Sequence, residues 1–173
     1  MATLTHFFRE KLFFLGYFVS PVFVSIRGMP SAHCTGDFCW SPDAQYLFWI
    51  FRDDNGRPAK VYRRPARGGE DVLVYDEPDD GFFISVDQSE SGEFIVIHAG
   101  HHASSETLLI PASNPTAAPV VFSPRAEDML YSVTHWDGRW YVLTNADGAV
   151  DFKVMVHRIQ GGGYAMSPLP LLQ

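Results

Sequence analysis

The sequence predicts an all-β protein, and three observations point to this fold class. After Phe38, no stretch keeps the helical spacing of apolar residues for three turns. Short runs rich in β-branched and aromatic residues recur instead, each bounded by Gly, Pro or Asp. The same order of strand and turn also repeats along the chain.

The first four strands are predicted from residues 38–77. The segment FCWSPDAQYLFWIFRDDNGRPAKVYRRP predicts three strands joined by turns at residues 41–43 and 53–56. Asn55 and Gly56 form the Asn-Gly pair that favours a tight hairpin between strand-like runs. The run DVLVYDE predicts a fourth strand, which ends at the Pro, Asp and Gly residues of positions 78–81.

The remaining strands are predicted in the same way. FFISVDQ and EFIVIHAG flank a turn at residues 89–92, and a polar loop at residues 101–105 leads into ETLLIPA. After a Pro-rich link come PVVFSPR, LYSVTHW and RWYVLTNA, with an Asp-Gly turn at residues 137–138 before the last of these. A second Asp-Gly turn, at residues 147–148, precedes FKVMVHRI. Short strands with such turn signals between them are typical of all-β folds.

A repeat is visible in three segments, CWSPDAQYLFWIFRDDNG, ISVDQSESGEFIVIHAG and YSVTHWDGRWYVLTNADG. Each contains a short strand, a tight turn, an aromatic and β-branched strand, and another polar turn. The first turns lie near Asp43, Ser91 and Asp137, about 46 to 48 residues apart. Because a four-stranded unit of that length indicates a β-propeller blade, we predict a partial β-propeller in residues 36–160. It should contain about three blades or parts of blades, each an antiparallel four-stranded sheet.

Three blades do not close a propeller, which usually has about four to eight. An arc leaves two apolar blade faces uncovered, and such surfaces mark an interface or an aggregation hazard. Two alternatives stay open. The chain is one portion of a larger propeller, or it is a stand-alone interaction module whose open faces are covered by a partner or by a second copy.

Several ordered segments resemble one family. DVLVYDEPDDGFFISV, SGEFIVIHAGHHASSETLLI and VVFSPRAEDMLYSVTHWDGRWYVLTNADGAVDFKVM resemble the N-terminal propeller of the prolyl oligopeptidase family of serine peptidases. The oligopeptidase B (protease II) branch is the most similar. CWSPDAQYLFWIFRDDNGRPAKVYRR also fits, with its tryptophan strand and its return strand. The likeness covers roughly residues 38–158, or about 70% of the chain.

The resemblance implies a propeller that sits over an α/β-hydrolase domain, admits short peptides and excludes folded proteins. It also implies cleavage after basic residues, by a Ser, an Asp and a His that the hydrolase domain supplies. The sequence has no G-x-S-x-G nucleophile elbow. We therefore expect a chain that lacks the catalytic domain, is itself inactive, and carries no catalytic, cofactor-binding or metal-binding residue. The expected partners are the hydrolase domain and, through the parent enzyme, short peptides.

The net charge and the two terminal segments limit the partners and the localisation that we expect for the chain. The formal net charge of −7 argues against a nucleic-acid partner, which would need a basic face. Residues 1–35 form an atypical apolar segment outside the propeller pattern, and residues 161–173 form an irregular tail. The stretch between Lys11 and Arg27 is short for a membrane span and has the length of a signal-peptide core, but no clear A-x-A site follows. An export signal and a segment foreign to this fold both stay open, and we expect a cytoplasmic protein.

Three groups of residues contain chemically active types, and for each we favour a structural role. The histidines of HAGHH (residues 98–102) are predicted to be one strand histidine and two solvated loop histidines, since a metal site needs more ligands. The acidic residues of positions 76–80 are predicted to form an exposed turn. A Ser-His-Asp triad is not expected because the Asp in question lies in a hairpin turn that points to solvent. Its would-be members are Ser104, Ser105, His135 and Asp137.

Cys34 and Cys39 are separated by four residues, which fits neither the usual zinc nor the usual redox spacing. We predict free thiols, one of them half-buried on a strand. The basic residues of positions 57–67 are predicted to be a solvated strand edge and loop. Six aromatic residues are predicted to pack inside or against the blades rather than to form a ligand cage: Trp40, Trp49, Phe82, Phe83, Trp136 and Trp140.

Overall fold

The computed structural model describes residues 37–158, and the expectations for residues 1–36 and 159–173 lie outside this range. No helix within residues 37–158 is long and apolar enough to cross a membrane. A short 3₁₀ turn spans Ala146–Gly148. The strands are β1 (Phe38–Trp40), β2 (Tyr46–Arg52), β3 (Pro58–Pro65), β4 (Val72–Asp76), β5 (Phe83–Gln88), β6 (Phe94–Gly100), β7 (Ser105–Pro111), β8 (Val120–Ser123), β9 (Tyr131–Trp136), β10 (Arg139–Thr144) and β11 (Lys153–Arg158).

These strands form three antiparallel sheets in which neighbours along the chain are neighbours in the sheet. Sheet 1 has the order β1-β2-β3-β4, and sheet 2 has the order β5-β6-β7-β8. Sheet 3 has the order β11-β10-β9. Two four-stranded meanders and a three-stranded one confirm the predicted all-β fold with three blades or parts of blades.

The first hairpin of each sheet has the turn that the repeat predicted. Between β1 and β2, the Asp43 carboxylate accepts hydrogen bonds from the Ser41 hydroxyl at 2.5 Å and the Gln45 amide at 3.0 Å. Between β9 and β10, Asp137 and Gly138 both have positive φ, 49° and 66°. This backbone matches the two-residue turn whose twist suits an antiparallel pair, and Gly adopts it without a Cβ penalty. Local turn chemistry therefore sets the start of every blade.

The core lies in two layers, one on each side of sheet 2. Successive residues of β6 alternate between them, because side chains of a strand point to opposite faces. The layer between sheets 1 and 2 is mainly aliphatic: Cys39, Phe48, Ile50, Val61, Phe82, Ile84, Val86, Ile95, Ile97, Ala99, Leu108 and Ile110. The layer between sheets 2 and 3 is mainly aromatic: Phe94, Leu109, Phe122, Tyr131, Trp140 and Val142.

The outer face of sheet 3 carries several exposed apolar side chains. Trp136 is 59% exposed, and Leu143 and Val154 are about half exposed. Their register places all three on the face opposite the buried Trp140 and Val142. The prediction that six aromatic residues pack inside or against the blades is therefore wrong for Trp136, and also for Phe83, which is 59% exposed. It is confirmed for Trp49, Phe82 and Trp140, which are buried.

Replacement of Ile97 by Ala tests the layer between sheets 1 and 2. Ile97 is fully buried, so Ile97→Ala removes apolar contacts and leaves a cavity. We expect a loss of about 2–5 kcal/mol in the free energy of unfolding, measured by urea titration. Leu73→Ala, at a half-exposed position of edge strand β4, is the control and should change stability by under about 1 kcal/mol. Equal losses in the two variants would contradict this assignment of the core.

Candidate functional site

The links between consecutive sheets lie at one end of the meanders and carry a buried ionic network. Residues 77–82 link β4 to β5, and residues 124–130 link β8 to β9. Arg125, from the second link, donates to the Glu77 carboxylate of the first link at 2.9 Å and to the Glu106 carboxylate of β7 at 3.0 Å. The Tyr75 hydroxyl donates to Glu77 at 2.6 Å. We name Tyr75, Glu77, Glu106 and Arg125 the junction network.

Glu77 is the centre of this network, and its side chain is completely buried. Burial alone raises the pKa of a carboxyl, but the hydrogen bonds from Arg125 and Tyr75 outweigh it, so the pKa of Glu77 is lowered. The Arg125 guanidinium also lies 4.0 Å from the centroid of the Phe82 ring. The network thus holds both links and strand β7 through one cation, which fixes sheet 1 against sheet 2.

The predicted exposed acidic turn is therefore wrong at Glu77. It holds for Asp79 and Asp80, which are exposed, and the Asp79 carboxylate accepts the Gly81 amide at 2.8 Å as a turn residue should. Asp76 forms an ion pair with Lys60 at 2.9 Å. The sequence did not reveal the difference because the partner of Glu77 lies 48 positions further along the chain.

The predicted solvated basic patch is also wrong in part. Arg57 is nearly buried and donates to the carbonyls of Asp79 at 3.0 Å and Phe82 at 3.3 Å, so it ties the β2–β3 hairpin to the first link. Arg64 pairs with Asp71 at 2.5 Å within sheet 1. Arg67 is exposed, as predicted. Arg57, Lys60 and Arg64 are therefore each paired with a carboxylate.

An open groove of about 440 Å³ lies between the first strands of sheets 1 and 2. Its lining consists of Asp37 and Phe38 on one side and residues 85–87 of β5 on the other. Phe38 is half exposed, and Asp87 is exposed. The lining therefore combines an aromatic ring with two carboxylates, Asp37 and Asp87, and could contact an extended cationic chain.

The three histidines of HAGHH occupy different environments. His98 lies on β6, where its Nδ1 is 3.2 Å from the Thr107 hydroxyl and burial lowers its pKa. His101 stacks on Phe82 with ring centroids 5.4 Å apart, so it is half-buried rather than solvated as predicted. His102 is exposed. Within residues 37–158, no group of three or more His, Cys, Asp or Glu side chains is placed to hold a metal ion.

The residues of the hypothetical triad are held apart by other partners. The Ser105 hydroxyl donates to the Tyr131 carbonyl at 2.9 Å and accepts from the Tyr131 amide at 2.7 Å. His135 is buried, and its Nδ1 lies 2.7 Å from the hydroxyl of Ser91. Asp137 is in the exposed β9–β10 turn. The Ser91–His135 pair was missed because it joins a turn of one repeat to a strand of the next.

Cys39 is a free thiol on β1, as predicted, but it is fully buried rather than half-buried. Burial, with a smaller contribution from the Asp87 charge, raises its pKa far above the ordinary value. Such a thiol is a packing residue rather than a nucleophile. Cys34 lies outside the described residues.

Successive antiparallel meanders, stacked face to face and joined by links at one end, define a segment of a β-propeller domain. The family model described as the prolyl oligopeptidase N-terminal β-propeller domain matches residues 30–164. The chain belongs to this family, and the prediction made from its sequence is confirmed.

Relatives of known name agree with this assignment. Dipeptidyl aminopeptidase BI of Pseudoxanthomonas mexicana is 35% identical over 119 residues, which cover 67% of this chain and 16% of the relative. Protease 2 of Moraxella lacunata is 30% identical over 131 residues, which cover 73% of this chain and 19% of the relative. The chain thus spans less than a fifth of the length of these relatives.

Solved structures give the same result. Oligopeptidase B from Trypanosoma brucei, in a closed form with covalently bound antipain, matches with a TM-score of 0.68 and 28% identity. Oligopeptidase B from Leishmania major matches with a TM-score of 0.66 and 25% identity. Each match covers 72% of this chain and 18% of the other.

Replacement of Arg125 by Ala tests the junction network. Arg125→Ala leaves the buried Glu77 carboxylate without its cation, so we expect a loss of about 3–5 kcal/mol in the free energy of unfolding. Adding Glu77→Gln to this variant should recover part of the loss, because the uncompensated charge is gone. Arg67→Ala, at an exposed position, is the control.

The pH dependence of stability provides a second test of the network, in the wild type and the single variant Glu77→Gln. The pKa of Glu77 is lowered from 4.5 in the folded chain, so its stabilising contribution is complete above about pH 4.5 and is lost as the pH falls further. Urea midpoints of the wild type and Glu77→Gln should therefore converge in acid. A constant difference between them down to pH 3 would show that the charge of Glu77 has no such role.

Proposed function

We propose that this chain forms part of a propeller that controls the access of peptides to a serine-peptidase site on an α/β-hydrolase domain. The observation that carries the proposal is the groove between β1 and β5, which lies on fixed blades in a member of a peptidase family. Ser105 bonds to the Tyr131 backbone and His135 Nδ1 bonds to Ser91, and we assign the chemistry to the hydrolase domain. The chain by itself should not hydrolyse peptides.

The charge of the groove supports a preference for basic peptides. Asp37 and Asp87 supply negative charge without a facing cation among the lining residues. A concave, negatively charged surface raises the local concentration of cationic chains and speeds their entry. Short basic peptides would therefore be admitted, and cleavage after basic residues would follow from the combined action of the groove and the hydrolase domain.

The outer face of sheet 3 supports a second part of the proposal, the partner. Trp136, Leu143 and Val154 are exposed apolar side chains on the face of sheet 3 that sheet 2 does not cover. We assign this face to a further blade of the same propeller. The alternative, self-association of the chain as an interaction module, uses the same face and predicts a concentration-dependent oligomer.

A chimaera tests the gating function. The matching propeller segment of Trypanosoma brucei oligopeptidase B is replaced by residues 37–158 of this chain. We expect the chimaera to cleave a short arginyl amide and to leave a folded protein intact, because the segment restores the channel wall. Labelling of the active-site serine confirms that the hydrolase domain has folded. A labelled chimaera that digests the folded protein as fast as the short substrate would contradict the proposal.

A pair of charge reversals tests the role of the groove. In the chimaera, Asp87→Lys should raise KM for a cationic peptide several-fold while kcat stays the same, since the change affects entry and not chemistry. Glu90→Lys makes the same change of charge on an exposed turn outside the groove and is the matched control. Identical KM values for the two variants would remove the groove from the proposal.

A further inference from the structure

His135 joins the third sheet to the second at one corner. It lies near the end of β9 and is 1% exposed. Its Nδ1 is 2.7 Å from the Ser91 hydroxyl, and its backbone carbonyl accepts the Ser91 amide at 3.1 Å. The ring lies edge-on to Phe94, with centroids 5.0 Å apart, and 4.6 Å from the Trp140 ring. One residue thus connects β9 to the β5–β6 turn through both its main chain and its side chain.

The surroundings of the ring suit a neutral imidazole. On the β5–β6 turn, the Glu93 carboxylate is 3.8 Å from Nδ1, but it is well exposed and therefore screened. The other groups around the ring are neutral hydroxyls and aromatic rings, and within residues 37–158 Nε2 has no hydrogen-bond partner. On β11, His157 is the backbone register partner of Trp140. Burial lowers the pKa of His135, and the opposing effect of Glu93 is smaller.

The other connections between the sheets do not titrate near neutral pH. At the opposite end of β9, the Tyr131 hydroxyl accepts from the Thr107 amide at 2.8 Å and donates to the Ser123 carbonyl at 2.5 Å. Sheets 1 and 2 are held by the junction network, whose carboxylate Glu77 stays ionised well below pH 6 because its pKa is lowered. His98, which lies on the same face of β6 as Phe94, is the remaining described histidine at the boundary of sheets 2 and 3.

We propose that His135 forms an acid-sensitive contact between sheets 2 and 3. Its protonation undocks sheet 3 from sheet 2, while sheets 1 and 2 stay packed. The sign follows from linkage. An undocked imidazole has the ordinary pKa near 6.5, whereas the docked one has a lower pKa, so the undocked form binds more protons in acid. The docking free energy is therefore complete above about pH 6.5 and decreases as the pH falls.

Hydrogen exchange on the full chain measures this directly. Backbone amides of β9 and β10 are compared with those of β2 and β3 between pH 7.5 and 5.0, after correction for intrinsic exchange rates. We expect protection in sheet 3 to fall several-fold more than protection in sheet 1, because the docking of sheet 3 favours the neutral form of His135. Uniform changes in both sheets would overturn the proposal.

Matched variants identify the residue responsible. His135→Gln retains a hydrogen-bonding side chain but cannot titrate, so the extra loss in sheet 3 should disappear. His98→Gln and His157→Gln should retain it, and Glu93→Gln should enlarge it because a favourable charge is removed. Loss of the effect in His98→Gln or His157→Gln with retention in His135→Gln would overturn the assignment.

An NMR titration of the wild-type imidazoles keeps the test decisive if His135→Gln does not fold. His135 should titrate below pH 6.5, with sheet 3 amide signals changing at the same midpoint. A midpoint at or above 6.5 would overturn the proposal.

Discussion

Sheet 2 depends on both of its neighbours, because neither of its faces is polar enough to meet water. Strand β6 places Ile95 and Ile97 against sheet 1, and it places Phe94 against sheet 3. Burial of apolar area on both sides is the main source of stability for such a sheet. A blade of this kind cannot fold as an independent unit, so the stability of each sheet includes the contacts of the next one.

Apolar stacking does not by itself fix the angle between sheets, and the polar connections at the links do. The junction network satisfies the buried Glu77 with a cation and a hydroxyl, which offsets the cost of desolvating the charge. Because Arg125, on the second link, bonds both to Glu77 of the first link and to Glu106 of β7, a change in the angle between sheets 1 and 2 would break charge-assisted hydrogen bonds. The groove between β1 and β5 lies between these same two sheets.

The strands and turns were predictable from the sequence, because their signals are local. Alternating β-branched and aromatic runs ended by Asp-Gly or Asn-Gly pairs identify hairpins without knowledge of distant residues.

The environment of individual side chains was less predictable. Glu77 follows the sequence pattern of an exposed turn, yet it is buried with Arg125, which lies 48 positions further along the chain. Trp136 follows the pattern of a core aromatic residue, yet it is exposed because it faces away from sheet 2. Both outcomes depend on which sheet covers which face, and strand patterns do not contain that information.

The proposed function requires a wall of fixed shape rather than reactive groups. The chemically active residue types in residues 37–158 are used in this way: Ser105 secures β9, His135 secures the β5–β6 turn, and Cys39 fills the core. The two boundaries of sheet 2 nevertheless differ in kind. One contains an ionic network and the other contains hydroxyls and a buried imidazole, so they respond to acid over different pH ranges. Under the proposed function, the groove between sheets 1 and 2 would stay intact while sheet 3 loosens, so the selection of a substrate would be separate from the movement of the neighbouring blade.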